Sequence, residues 1–185
     1  GEYPWTRSPM SLDSVRGREA DLVAIAAKHS AAQPGYLPSY APALFCAKIP
    51  PKVLEAVGEF DGRFRTGSTQ DADYALRASL AGFPSERAAG TYVLRMQAHP
   101  AVRDVVARQP ELGTSDRNAF GAKWGAALTY AFLGRDWNLF LSDERLAEAI
   151  GRHDFKPVIE QLRADPSLDR FIERQRRARF AAVCV

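Results

Sequence analysis

Three aspartates, Asp61, Asp71 and Asp73, fall within one short stretch of this 185-residue chain, and two of them sit where a loop turns into a helix. The stretch reads Val57-Gly58-Glu59-Phe60-Asp61-Gly62-Arg63-Phe64, then Gly67-Ser68-Thr69-Gln70-Asp71-Ala72-Asp73-Tyr74-Ala75-Leu76-Arg77, and closes on Ala81-Gly82-Phe83. A carboxylate at such a junction can face a cavity and take the proton of a substrate hydroxyl, provided it lies within hydrogen-bond reach. Each acid also has a structural alternative. Ser68-Thr69-Gln70-Asp71 has the form of a capping box, first-turn acids complement the helix dipole, and Asp73 with Arg77 has the i,i+4 spacing of a surface ion pair.

The order of these residues resembles a segment of the inverting, GT-A type glycosyltransferases of family 2. Their corresponding stretch runs roughly Gly-Gly-Phe-Asp-Glu-x-Phe, Glu-Asp-x-Asp-Leu-x-x-Arg and Ala-Gly-Tyr. The resemblance implies Asp71 as general base, deprotonating the acceptor hydroxyl as it attacks the anomeric carbon in a single inverting displacement. Gln70 stands where the family usually has Glu, one negative charge fewer, and is expected to bind acceptor hydroxyls as a neutral group. Asp73 and Arg77 match the family's helix-positioning Asp and Arg. Phe60 and Asp61 match the loop that shapes the acceptor side. Ungapped counting places Arg95 where the family has a His near metal or phosphate. Lys123-Trp124-Gly125 resembles an element found after the catalytic helix in some members. Trp124 there is open to two readings, a platform for a sugar ring or a core aromatic.

Asp71-Ala72-Asp73 also has the bare Asp-x-Asp form of the metal motif that holds a sugar nucleotide. That motif normally ends a buried apolar strand, whereas this one follows Gly-Ser-Thr-Gln and opens a helix, so the assignment is rejected. The nucleotide-binding half is therefore expected to come from an upstream segment or a partner chain. The complete enzyme would use a nucleotide sugar, a saccharide, lipid or protein hydroxyl as acceptor, and a divalent metal such as Mn or Mg. The rival reading is a non-catalytic module, derived from a transferase half, that binds carbohydrate or protein.

The elements that must position these residues follow from local pattern. The resemblance implies an α/β fold, a partial GT-A (Rossmann-like) acceptor half over 1–99 with short strands, followed by a helical C-terminal region over 100–185. Ser11 to Lys28 carries a helical stripe, and 30–42 is a Pro- and Gly-rich loop. Ala43 to Ile49 reads as a buried strand ended by Pro50 and Pro51, then a helix Lys52 to Val57 closed by Gly58. A helix Gln70–Leu80 ends at Gly82, and Thr91 to Leu94 reads as a second strand. Helices are expected at 101–108, 115–133, 143–151, 155–164 and 167–180. Two short strands cannot close a sheet by themselves, which again points to a missing part.

Composition narrows the class. Twenty-five Lys+Arg against 22 Asp+Glu leave a net charge of +3, too little to argue for nucleic acid. Cys46 and Cys184 lack metal-type spacing and read as a buried thiol and a terminal one. No apolar run is long enough to span a membrane, no signal peptide is legible at the start, and a cytoplasmic location is expected. The C-terminal arginines Arg170, Arg174, Arg176, Arg177 and Arg179 have a solvated-face reading and a second one, contact with an anionic membrane surface. His29 and His153 are assigned no role.

Overall fold

A computed structural model of the chain describes residues 16–32, 35–39, 44–93, 110–134, 148, 155–164, 167 and 170. The described elements are helix α1 (Glu19–Ala32), strand β1 (Tyr36–Pro38), a 3-10 turn (Leu44–Cys46), helices α2 (Pro51–Val57) and α3 (Gly67–Leu80), strand β2 (Glu86–Ala88), and helices α4 (Pro110–Trp124), α5 (Ala126–Gly134) and α6 (Phe155–Ala164). The expectation of a partial Rossmann-like α/β fold is overturned. Among the described residues the protein is mostly helical, with a single antiparallel sheet of two strands, β1 and β2.

The reason can be read at the two expected strands. Of the first, expected at 43–49, the described residues 44–49 open with the Leu44–Cys46 turn instead, and the Leu44 N–H donates to the Asp71 carboxylate, 2.9 Å away, not to a neighbouring strand. Cys46, expected to be buried, is exposed. At 91–93 there is no regular structure, and the Thr91 N–H turns back onto the Ala88 carbonyl. The strand that does pair with β1 lies just before, at Glu86–Ala88.

Local chemistry explains the helix limits. Pro51 sits in the first turn of α2, where its missing N–H costs nothing, and Gly58 ends the helix at φ 80° with its N–H on the Leu54 carbonyl. The expected helix 115–133 is two helices, because Gly125 adopts φ 86° between α4 and α5. That left-handed conformation is open to Gly without the Cβ penalty other residues meet. α1 begins at Glu19, just past Gly17 at φ 73°. The expected helix starts at 11 and 101 and most of 143–151 and 167–180 lie outside the described residues, as do Cys184, His153 and the arginines beyond Arg170.

The chain divides into two compact units, 1–37 with 88–108, and 38–87 with 109–185. In the first, no residue of α1 is buried, and His29 meets the Ala89 carbonyl at 3.0 Å and the Tyr92 ring edge-on. The second holds the core. Its centre is α3, which packs against α2, α4, α5 and α6. Residues four apart share a helix face, and α3 has three adjoining rows. Ala72 and Leu76 face Phe64, Phe120, Leu128 and Ile159. Tyr74 and Ala78 face Val53, with Leu44, Val57 and Phe83 alongside. Fully burying a side chain such as Leu76 or Phe120 contributes about 1.5–3 kcal/mol. Between the two apolar rows runs the third, Asp73 and Arg77.

Candidate functional site

Asp73 is wholly buried, and its carboxylate is satisfied from three directions. Oδ1 accepts from the Lys123 ammonium at 2.6 Å and the Trp124 indole N–H at 2.8 Å. Oδ2 accepts from the Arg77 guanidinium at 2.9 Å, so the i,i+4 spacing does form a pair, in the core and not on the surface. Arg77 continues outward, donating to the Val57 carbonyl at 2.7 Å and the Glu59 carbonyl at 2.9 Å, with its guanidinium over the Tyr74 ring. It thereby ties the end of α2 and the start of the 59–66 loop to α3.

Lys123 also reaches Asp61, at 2.9 Å. Asp61 is gripped from the other side by Arg63, whose Nη2 lies 2.6 Å away. The Arg63 and Lys123 hydrogen bonds hold the Asp61 carboxyl well below the usual carboxylate range. Lys123 is therefore the bridge of an alternating chain, Arg63, Asp61, Lys123, Asp73, Arg77. The Gly125 turn ends α4 immediately after Lys123 and Trp124. Trp124 is buried, with the Lys123 and Arg163 cations 5.5 and 5.3 Å from its ring, so of its two readings the core one describes its place.

Asp71, two residues before Asp73, is built differently. It is only partly buried, and one oxygen, Oδ2, accepts the Leu44 N–H. The capping box does not form. α3 starts at Gly67, ahead of both Ser68 and Asp71, and no side chain caps it. Gln70 is half-buried, with its amide N–H₂ on the Phe64 carbonyl at 2.8 Å. Phe60 is 42% exposed and stacks on Tyr74 with ring centroids 4.5 Å apart. Arg95 lies outside the described residues.

One residue was missed from the sequence. Asp116, on α4, is 2% exposed, and its Oδ2 accepts the backbone N–H groups of Arg65 at 2.8 Å and Thr66 at 2.6 Å. Burial raises its carboxyl, but hydrogen bonds from Thr66 and Arg65 outweigh this and leave it below the usual range. Nothing in Thr-Ser-Asp-Arg-Asn marks this acid as buried; its partners lie about fifty residues earlier.

A metal does not fit the Asp71-Ala72-Asp73 pair. Both Asp73 oxygens already face cations or an indole N–H. Among the described residues no group of three or more His, Cys, Asp or Glu could hold a metal ion, and no helix is long and apolar enough to cross a membrane. No protein-family model, curated protein or solved structure matches the chain.

Proposed function

We propose that this chain carries the acceptor side of an inverting, nucleotide-sugar-dependent glycosyltransferase, with Asp71 as the base. The observation that carries the reading is the contrast between the two acids of α3. A base needs an accessible lone pair and a fixed position. Asp73 has neither free oxygen nor access, while Asp71 is partly exposed and oriented by a single backbone N–H. Asp73, Arg77 and Lys123 then serve to hold α3, and Phe60 offers an exposed aromatic face near them to an acceptor. The donor site, its metal and the cytoplasmic compartment belong to the same proposal, as does the upstream segment or partner chain that would supply the donor half.

Gln70 supports a second reading, a binding module without turnover. Its amide is already spent on the Phe64 carbonyl, a bond that a carboxylate could not donate. The two readings part in an assay of the chain and of D71N, each completed by the donor half from the upstream segment or partner chain, with a panel of nucleotide sugars and hydroxyl acceptors. Loss of the base is expected to lower transfer about 10²–10⁴-fold with acceptor affinity retained. Transfer undiminished in D71N sinks the role of Asp71, and acceptor binding without turnover in either chain favours the module.

A further inference from the structure

We infer that Asp116 is a positioning residue for Asp71, a role that rests on the reading of Asp71 as the base. The loop that leads into α3 is held on both sides of its backbone. Its amides at Arg65 and Thr66 donate to the Asp116 carboxylate from α4. Its carbonyl at Phe64 accepts from the Gln70 side chain on α3 itself. The Thr66 carbonyl then accepts the N–H groups of Thr69 and Gln70, which sets the first turn of the helix. Asp71 is the next residue along.

A helix start without a side-chain cap is free to fray. Fraying that unwound the first turn would release Asp71 from the Leu44 N–H, while Asp73, two residues on, stays pinned by Lys123, Trp124 and Arg77. Asp116 removes that freedom. It pins the two residues ahead of the helix with a buried charged acceptor, the stronger class of hydrogen bond. Asp116 itself touches no reacting group; it acts through the first turn of α3.

The test compares the full chain with D116A, D116N, D116E and D71N. Asparagine keeps an oxygen for both amides, alanine removes it, and glutamate keeps the charge but is one methylene too long. In D116A the amides of Arg65 and Thr66 should lose protection from hydrogen exchange, and the carbon-13 carboxyl resonance of Asp71 should move. D116N should restore both. For transfer by the chain completed with its donor half, D116A and D116E are expected to lower kcat about 100-fold, the scale of a misplaced group, with KM little changed, and D116N to recover most of it.

An Asp71 resonance unchanged in D116A, once the two amides have lost protection, overturns the inference. Full kcat in D116E does the same where D116A fails to fold. A D71N chain that still transfers sugar sinks the base and not the positioning, since the carboxyl resonance reads the place of Asp71 without any turnover.

Discussion

Removing the Asp73 carboxylate leaves the buried end of Lys123 and the Arg77 guanidinium facing an apolar gap. Asp73→Ala is expected to cost about 3–5 kcal/mol, the usual penalty for breaking a buried pair from one side, read as a fall in the urea midpoint. The opposite sign is expected one residue along. The Tyr74 hydroxyl is buried without a hydrogen-bond partner among the described residues. Because a desolvated, unpaired hydroxyl costs about 1–3 kcal/mol, Tyr74→Phe should raise the melting temperature while leaving the Phe60 stack intact. A melting temperature that falls would mean that the hydroxyl has a partner after all. At this scale the sequence made part of the site legible. The i,i+4 spacing of Asp73 and Arg77 announced a pair, but its burial depends on Lys123 and Trp124, some fifty residues later, and no local pattern carries that. Asp116 was invisible for the same reason.

At the scale of elements, the loop between α2 and α3 is fastened by two acids whose folded carboxyls both lie below the usual 3.8. A depressed folded value means that the stabilisation is complete above the unfolded value, about 3.9 for Asp, and is lost as pH falls below it toward the folded values. Urea midpoints should therefore hold level down to about pH 5 and then decline. Asp61→Asn should flatten part of that decline, and a parallel decline in the variant would remove Asp61 from the account. The stops of α2 and α3 were readable because Gly58 and Gly82, at positive φ, act alone. The break at Gly125 was not, since an isolated glycine inside a helical pattern is often tolerated. The two expected strands failed because an apolar run of that length suits a turn or a strand equally, and the Leu44 N–H found a carboxylate first.

Among the described helices, burial is unevenly distributed. α3 buries seven of its 14 residues, whereas α1, also 14 residues long, buries none. Amides in α3 and α5 should therefore exchange slowest, with free energies near that of global unfolding, and those of α1 orders of magnitude faster. Equal protection in the two helices would show that something covers α1. The helical architecture was not legible beforehand: an α/β fold was expected, helices at 52–57, 70–80 and 155–164 were readable, and which helices meet at α3 is decided by contacts distant in sequence. Trp124 has a use beyond its packing. An indole whose N–H is held by a carboxylate, with two cations near its ring, has an emission energy set by those charges. With Trp5 and Trp137 replaced by Phe, its fluorescence becomes an unlabelled optical reporter on the state of Asp73, shifting in colour whenever the buried charges part, whether by acid, by mutation or by the arrival of a partner.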